Sequence, residues 1–459
     1  EFKAAEDVIK SQHKEESTPS SSEVTSSKNQ RKIGEKLVVL FSKEIGQGID
    51  GTVVYEGTYD GRPVAVKRIL QSHATLIAPE IKNLVASDHG PNIVRYHGNE
   101  NDRNFIYLAL ERCDCNLYDL IRLYSTYSNQ NESISIYLEK LKNVLRDVKL
   151  WEGNIDRPSP LLLKLMSDIV SGLFALHKLN IVHRDLKPQN ILIIKESSTL
   201  CAKLSDMGIS KHLSGFGTTG WKAPEQLLDG QHQTSSIDLF SLGCVLFFCI
   251  THGCHPFGDH DKRDGNIRKN NQPDLSLVKD FPEASDLISS LINFDPEKRP
   301  KVIEVLHHPL FWDAKNRLSF LCDTSDRVIK GADLDKALES TASTILGTER
   351  IVLINVLKWN KKVDEKIIRH FLPYAEGGYK FSSIRDLLRL IQNIVSQPLP
   401  EDIQKLVGTS YEGFDNYFTT RFPLLLIEVY KFVCTYCKGD ECFKKYFMKS
   451  TEKSIADKS

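Results

Sequence analysis

The stretch that decides the fold is HRDLKPQN at residues 183–190, which is followed by the apolar run ILII at 191–194 and by LSDMG at 204–208. The pattern places two Asp and one Asn on loops at the ends of apolar strands. Such side chains can accept a proton from a hydroxyl group and can hold Mg²⁺ through hard oxygen ligands. This stretch therefore predicts a site for phosphate transfer.

A glycine-rich turn and a lone lysine precede this stretch. GQGIDGTV at residues 46–53 lies between two predicted strands, where glycine lets the backbone close over nucleotide phosphates. Such a turn also fits a plain hairpin, whereas a dinucleotide-binding turn would lead into a helix. Lys67 lies in an apolar strand and needs anions around its ammonium group. Glu80, in the next predicted helix, is its natural carboxylate partner, although a single Glu there also fits a solvated helix face.

Residue composition and hydrophobic periodicity divide the chain into segments. Residues 1–34 are rich in Ser and poor in large apolar side chains, which predicts a flexible linker. Residues 35–312 run from short β-rich segments to helix-period segments, which predicts an α+β domain with a strand-rich and a helical lobe. Within this domain, polar residues at about 125–158 predict a surface insertion. Residues 313–449 have helical periodicity, and we expect 450–459 to be a disordered tail.

Composition excludes some classes of protein. The 459 residues include 60 basic and 60 acidic side chains, so the chain lacks the positive charge of a general nucleic-acid or membrane-surface binder. The longest apolar run, 239–250, is too short to cross a bilayer and predicts a core helix, with no direct membrane insertion by this chain. Ten scattered cysteines suit a reducing compartment.

These motifs resemble those of the eukaryotic protein kinases over about residues 37–312. The resemblance implies that Asp185 is the catalytic base and that Lys187 faces the phosphate, as in Ser/Thr kinases. It implies that Asn190 and Asp206 bind the metal, with ATP and Mg²⁺ as cofactors.

The same resemblance assigns the remaining nucleotide contacts. Lys67 and Glu80 would form the phosphate-positioning pair, and Leu110 would be the gatekeeper before the hinge. Backbone atoms of the hinge would pair with adenine, and the glycine-rich turn would cover the phosphates; the residues concerned are Glu111 and Cys113, and Gly46, Gly48, Gly51 and Val53. APE at 223–225 and Arg299 imply a buried ion pair between Glu225 and Arg299.

Three departures from the kinase pattern stand out. Met207 replaces the usual Phe and can fill the same apolar slot. Pro79 precedes Glu80, and it removes a hydrogen bond if the helix has already begun. The activation loop is short, so we expect phosphorylation of its hydroxyls to have a weak effect; they are Ser210, Ser214, Thr218 and Thr219.

Over residues 35–449 the chain resembles the inositol-requiring kinase/endoribonuclease family of the unfolded-protein response. VAVKRIL, GWKAPEQL, LFSLGCVLFF and FTTRFPLLLIEVYKF carry the likeness, and LCAKLSDMGISK is similar to the plant branch. The implied fold is a two-lobed α+β protein kinase followed by a mostly α-helical ribonuclease-like (KEN) domain. The family's lumenal sensor and transmembrane helix would lie upstream, which implies the cytosolic side of the endoplasmic reticulum membrane, or the cytoplasm if no anchor exists.

The family cuts RNA stem-loops once its kinase domains dimerise back to back with ATP or ADP bound. Its ribonuclease site uses a Tyr, an adjacent Arg-Asn pair and a His. Aligning YKFSSIRDLLRLIQNIVSQ, which begins at 379, places Tyr379 and Asn393 on the Tyr and Asn. Gln392 stands at the Arg position and Gln397 at the His position. Glutamine brings no positive charge and is no acid at usable pH.

Three hypotheses follow. The first is a Ser/Thr kinase that autophosphorylates and dimerises, alone or mixed with an intact relative, and whose ribonuclease site is degenerate. The second is a working kinase/endoribonuclease of the stress response, with Arg389 or His370 replacing the missing groups. The third is a nucleotide-sensing pseudokinase, which the presence of Lys67, Asp185 and Asp206 disfavours.

Overall fold

The computed structural model describes residues 30–47, 52–125, 141–143, 145, 148–153, 157–196, 199–207, 219–228, 233–329, 331–347, 358–375 and 377–447. The chain forms two compact units. The first comprises Glu1–Ala74 and Tyr96–Arg112, and the second comprises Thr75–Arg95 and Cys113–Ser459.

The first unit is built on a six-stranded sheet in which all neighbouring strands are antiparallel. The strand order is β1-β2-β3-β4-β6-β5, and the strands are β1 (Gln30–Ile33), β2 (Leu37–Gln47), β3 (Val53–Tyr59), β4 (Arg62–Leu70), β5 (Tyr96–Asn101) and β6 (Phe105–Glu111). Alternate residues point to one face, because successive side chains of a strand lie on opposite sides. Their buried core includes Val39, Tyr55, Val64, Val66 and Tyr107.

Strand β1 corrects the predicted linker boundary. It pairs with β2 from Gln30 onward, and Ile33 is buried in the core of the sheet. Gly34 has a φ of 62°, which a glycine adopts without strain, and starts the turn into β2. The folded domain therefore includes residues 30–34, which were predicted to be linker, because one apolar residue is enough to hold a short strand on an existing sheet. Residues 1–29 of the predicted linker and the tail at 450–459 lie outside the described residues.

The second unit begins with the helical lobe of the predicted kinase domain. Its strands form the sheet β11-β10-β7 and the pair β8-β9; they are β7 (Cys115–Asn116), β8 (Trp151–Glu152), β9 (Arg157–Pro158), β10 (Ile191–Glu196) and β11 (Thr199–Leu204). The helices are α1 (Ala74–Ser87), α2 (Leu117–Tyr124), α3 (Pro160–Lys178), α4 (Pro224–Leu227), α5 (Ser236–Ile250), α6 (Arg263–Arg268), α7 (Pro282–Leu291) and α8 (Val302–Leu306).

Helices α3 and α5 form the centre of this lobe. Ser159 caps α3, its hydroxyl accepting the N–H of Leu162, and Pro160 suits the first turn because no helical partner is needed there. Every residue of α5 after Ser236 is buried, which confirms the core helix predicted from the run 239–250. Among the described residues, only α3 has the length and composition of a membrane-crossing helix, and it packs against β11 and α8 as a core helix.

The predicted surface insertion is corrected at its C-terminal end. Leu145 and Leu150 are buried. The Trp151 indole N–H donates to the Ile250 carbonyl at 3.2 Å, and its ring stacks on His252 at 3.8 Å. A polar average over this stretch concealed these few apolar anchors. Residues 126–140 of the insertion lie outside the described residues.

The C-terminal part of the chain is helical, as predicted. Asp313 caps the first helix by accepting the N–H of Asn316. The helices are α9 (Ala314–Val328), α10 (Ala332–Glu339), α11 (Ala342–Leu346), α12 (Glu365–Phe371), α13 (Ile384–Ser396), α14 (Glu401–Val407), α15 (Tyr411–Arg421), α16 (Leu425–Tyr436) and α17 (Lys444–Phe447). They surround one core in which α9 packs against α13, α15 and α16.

A buried arginine joins this helical domain to the kinase lobe within the second unit. Arg317 on α9 donates to Glu283 of α7 at 2.9 Å and pairs with Asp415 of α15 at 3.0 Å. Two further pairs cross the same boundary, Lys431 with Asp286 and Lys438 with Glu304. Because Arg317 is 13% exposed, both of its carboxylate partners depend on it for compensation of their charge.

We predict that Arg317→Ala lowers the free energy of unfolding by about 3–5 kcal/mol, because Glu283 and Asp415 would stay buried without a cation. Thermal unfolding followed by circular dichroism measures the effect. Arg369→Ala is the matched control: Arg369 pairs with Glu365 on α12, both are 75% exposed, and the expected change is under about 1 kcal/mol. Equal shifts in the two variants would contradict the role of Arg317.

Candidate active sites

The strands that flank the glycine-rich turn are paired up to their ends. Gln47, which follows Gly46, lies opposite Val53 across the β2-β3 pair. This arrangement is the strand-turn-strand predicted from the sequence. Gly48 and Gly51 lie outside the described residues, so their part in phosphate binding stays a prediction.

Lys67 is buried in the middle of the sheet. It lies on β4 opposite Leu108 of β6 and is 7% exposed. Leu110 and Glu111, the predicted gatekeeper and hinge residues, end β6 on the same sheet. A buried ammonium group is costly unless anions surround it, so the sheet presents Lys67 as a point charge suited to phosphate.

Helix α1 contains Glu80 and continues through Pro79. It begins at Ala74, so proline removes one main-chain hydrogen bond inside the helix. The helix nevertheless extends to Ser87, because Glu80 and Leu84 lie on its buried face. Pairing of Glu80 with Lys67 stays a prediction.

The loop 183–190 brings the predicted catalytic groups together. The Lys187 ammonium lies 2.8 Å from Asp185 Oδ2, and the Asn190 amide nitrogen donates to the same oxygen at 2.9 Å. The same nitrogen also donates to the Asp185 carbonyl at 2.8 Å. These contacts fix the orientation of the Asp185 carboxylate, which a base must keep to meet a hydroxyl group.

Asp238 anchors this loop, although the sequence analysis did not single it out. Its carboxylate, 1% exposed, accepts the main-chain N–H groups of His183 and Arg184, each at 2.8 Å. His177 Nε2 lies 2.9 Å from the same carboxylate. Arg184 has a φ of 70°, a strained value for a residue with a side chain. The sequence does contain a sign of this role, because Asp238 is an ionisable residue in the first turn of the otherwise apolar helix α5.

Asn190 and Asp206 fit a divalent cation. The Asn190 amide nitrogen donates to Asp185, so the side-chain oxygen of Asn190 is the atom that could bind a cation. Asp206 has a φ of 57° and directly follows β11 through Ser205, whose hydroxyl donates to the Asn190 carbonyl at 3.0 Å. Carboxylate and amide oxygens are the ligands that Mg²⁺ prefers.

The neighbourhood of Asp206 also shows how methionine replaces phenylalanine. Met207 is fully buried, and the Ser87 hydroxyl at the end of α1 lies 3.9 Å from its sulfur. The apolar slot is therefore filled, as predicted. Cys113, the other hinge residue, is partly buried. Ser210, Ser214 and Thr218 lie outside the described residues.

The buried ion pair between Glu225 and Arg299 is confirmed. Two parallel hydrogen bonds of 2.6 and 2.9 Å join the guanidinium and carboxylate groups. Arg299 also donates to the carbonyls of Asn293, Ser236 and Phe294, which satisfies its remaining three N–H groups. This pair holds the segment 223–225 against the helical lobe.

The predicted ribonuclease positions retain one direct contact. The Asn393 amide nitrogen donates to the Tyr379 hydroxyl at 3.0 Å. Arg389 lies over the Tyr379 ring at 5.1 Å, and Trp359 meets the ring edge-on. Burial raises the pKa of Tyr379, and the hydrogen bond from Asn393 and the charge of Arg389 only partly oppose this effect. Tyr379 is therefore held as a neutral hydroxyl group.

Gln392 and Gln397 lie on and after helix α13. The Gln392 side chain donates to Asp326 on α9 at 2.7 Å. Gln397 ends the helix, and its main-chain N–H donates to the Asn393 carbonyl at 3.1 Å. Sequence analysis gave no signal for Asp326, because it lies on another helix 66 residues away.

Arg389 and His370, the two suggested substitutes, both make contacts within the domain. The Arg389 guanidinium donates to the Gly378 carbonyl and lies 3.4 Å from Asp386, so the protein itself uses its charge. His370 on α12 contacts the rings of Phe371 and Tyr374. Both residues therefore have structural contacts that compete with a catalytic role.

The helical spacing of apolar residues in 384–397 predicts a buried stripe that runs from Ile384 to Val395, and the buried face of α13 agrees with this stripe at all but three positions. Asp386 and Leu390 are also buried, and Val395 is only partly buried. The predicted stripe residues that are buried are Ile384, Leu387, Leu388, Ile391 and Ile394. Because α13 packs against α9, α10 and α15, it buries a wider arc of its surface than one apolar stripe covers.

Comparisons with known families match the two parts of the chain separately. The family model described as protein kinase domain matches residues 40–311. The model described as ribonuclease 2-5A matches residues 317–447. The boundary between the two matches lies at the start of α9.

Comparisons with curated proteins find relatives over most of the chain. It is 50% identical over 446 residues to the serine/threonine-protein kinase/endoribonuclease IRE1a of Arabidopsis thaliana, covering 91% of this chain and 51% of the relative. It is 48% identical to the IRE1 protein of Oryza sativa subsp. japonica, covering 92% and 46%. It is 39% identical to an Arabidopsis relative named inactive serine/threonine-protein kinase/endoribonuclease IRE1-like, covering 91% and 79%. The chain thus spans about half the length of the first two and most of the third.

We predict that Asp185→Asn abolishes transfer of labelled phosphate from ATP to the chain, because the amide cannot accept the hydroxyl proton. Phosphate incorporation at fixed protein concentration measures the loss, expected to be at least about 10²-fold. Asp402→Asn makes the same chemical change at an exposed position of α14 and should leave incorporation unchanged. Equal incorporation by Asp185→Asn and the unmodified chain would contradict the role of Asp185.

Proposed function

Because this chain belongs to the IRE1 family of protein kinases joined to a ribonuclease 2-5A domain, we propose that it is a Ser/Thr kinase whose ribonuclease domain no longer cleaves RNA. The observation that carries the proposal is the contact of Gln392 with Asp326, which places a neutral amide beside a carboxylate at the position where the resemblance to the family implies an Arg. The kinase residues, in contrast, are all present.

The kinase half follows from the groups around Asp185. Asp185 would accept the proton of the substrate hydroxyl, while Lys187 and Lys67 would meet the phosphates of ATP. Asn190 and Asp206 would hold Mg²⁺, which neutralises phosphate charge when it is bound. Gly46, Val53 and the backbone of Glu111 and Cys113 would complete the ATP site. We propose that the first substrate is the chain itself.

The ribonuclease half lacks the groups for two of the required chemical roles, the proton donor and the stabilising positive charge. In metal-free RNA cleavage the 2′-hydroxyl attacks the phosphate, so the reaction needs a proton acceptor, a proton donor to the leaving oxygen and a stabilised phosphorane charge. Tyr379 and Asn393 can still bind and orient a phosphate or hydroxyl group. Gln397 cannot protonate the leaving oxygen, and Gln392 adds no charge.

The expected loss of rate is large. An absent general acid costs about 10² to 10⁴ in rate, and an absent electrostatic donor costs about 10² to 10³. Asp326, which accepts the hydrogen bond from Gln392, adds a negative charge beside the position where the resemblance implies an Arg. One relative of this chain carries the word inactive in its name, so loss of activity occurs within the family.

A protein with this combination would act through binding. We propose that it pairs back to back with itself or with an intact relative when ATP or ADP is bound, and that it serves the unfolded-protein response. Its place would be the cytosolic side of the endoplasmic reticulum membrane if an upstream anchor is present, or the cytoplasm otherwise. RNA stem-loops stay possible ligands.

We predict that the unmodified chain leaves a labelled RNA stem-loop intact at concentrations that allow dimers, with ADP and Mg²⁺ present. The double variant Gln392→Arg with Gln397→His should cleave it, because it restores the charge and the acid on an unchanged helix. Product bands on a denaturing gel measure cleavage, and each single variant is the matched control with only one group restored.

The outcomes separate the hypotheses. Cleavage by the double variant alone supports the proposal. Comparable cleavage by the unmodified chain would contradict it and would favour a working endoribonuclease that uses Tyr379 and Asn393 with other groups. If no variant cleaves the RNA, the site has lost its geometry as well as its chemistry. That result would contradict the inference drawn from the retained contact of Tyr379 with Asn393.

A further inference from the structure

The segment 219–226 is fixed beside the catalytic loop at several points. The Gly220 N–H donates to Asp264 of α6 at 2.6 Å, and the Trp221 carbonyl accepts the Ser241 hydroxyl at 2.7 Å. Gln226 closes the segment, since its side chain accepts the Ala223 N–H at 2.9 Å. These contacts come from helices of the same lobe, so the backbone here is well defined.

The segment is attached directly to the residue before the catalytic base. The Gln226 amide nitrogen donates to the Arg184 carbonyl at 3.2 Å. A peptide that brings its hydroxyl group to Asp185 must therefore carry its neighbouring residues past this segment. Side chains that the segment turns toward solvent can contact those residues.

Lys222 is the side chain that the segment presents. Trp221 and Ala223 on either side are buried, whereas Lys222 is only partly buried. Such alternation is expected where successive side chains leave an extended backbone on opposite sides. Among the residues that the structure describes, no carboxylate lies within ion-pair distance of the Lys222 ammonium group.

The nearby carboxylates are already engaged. Glu225 is paired with Arg299, and Asp264 accepts the Gly220 N–H. Asp185 is paired with Lys187, and Asp238 accepts main-chain N–H groups. Lys222 is therefore a cation beside the path of a substrate, and the described residues of the lobe show no carboxylate paired with it.

We infer that Lys222 selects substrates with an acidic residue next to the Ser or Thr that receives the phosphate. This inference rests on the proposed kinase function and adds the substrate class to it. A carboxylate of the bound peptide would form an ion pair with Lys222, and a basic side chain at the same place would be repelled. In the chain itself, Ser22 is followed by Glu23, whereas Ser27 is followed by Lys28.

The test compares synthetic peptides that differ only in the residue beside a single Ser, which is Asp, Ala or Lys, placed before or after it. The unmodified chain should phosphorylate the better Asp peptide with a kcat/KM about three- to tenfold above that of the matching Lys peptide, the range expected for a partly exposed ion pair. This comparison needs no variant and is independent of folding effects.

Charge reversal then assigns the preference to one residue. Lys222→Glu should invert the order of the peptides, and Lys222→Met should abolish the preference while phosphorylation of the Ala peptide continues. Lys279→Glu makes the same change at an exposed position outside the segment and should keep the preference for Asp.

The failures are distinguishable. If neither the peptides nor the chain itself incorporates phosphate, the proposed kinase function fails. If all peptides are phosphorylated equally, or if Lys222→Glu keeps the preference for Asp, the kinase function stands and the role of Lys222 is overturned. Mapping of self-phosphorylated sites gives an independent readout: Ser22 should be modified before Ser27.

Discussion

The carboxylate of Asp238 is the group on which the catalytic lobe depends. It lies in the core helix α5 and accepts two main-chain N–H groups from the loop that carries Asp185. A buried carboxylate is stable only when hydrogen bonds replace its water, and these two donors with His177 provide that replacement. The strained backbone at Arg184 is tolerated because the hydrogen bonds from the main-chain N–H groups of His183 and Arg184 to Asp238 hold it in place. On the loop held in this way, the side chains of Lys187 and Asn190 both contact Oδ2 of Asp185.

Under the proposed function, the helical domain is a site that keeps its geometry after its chemistry has changed. Helix α13 is held by its buried apolar face and by Glu339, which accepts hydrogen bonds from the Ser383 hydroxyl and the Ile384 N–H at its first turn. None of these contacts involves Gln392 or Gln397. Substitution at those positions therefore costs little stability, whereas it removes a proton donor and a positive charge. Packing and catalysis place separate demands on the same helix.

The sequence allowed prediction of the parts where chemistry and spacing coincide. The loop 183–190 and the buried face of α13 follow from residue types at fixed spacing, whereas the pair of Glu225 with Arg299 follows from the resemblance to protein kinases. Asp238 was missed because its partners are main-chain groups, which leave no trace in a sequence. Asp326 was missed because the contact with Gln392 joins two distant helices. Ile33 and Trp151 were missed because they lie in polar stretches that contain few apolar residues.

The central claim is that the ribonuclease domain keeps its fold and lacks its acid and its cation. The most direct measurement is the single-turnover rate constant for cleavage of one RNA stem-loop by this chain and by the matching region of Arabidopsis IRE1a, at equal protein concentration with ADP and Mg²⁺. The account predicts that this chain is slower by at least about 10³-fold, given the loss of a general acid and an electrostatic donor. Rate constants within tenfold of each other would contradict it.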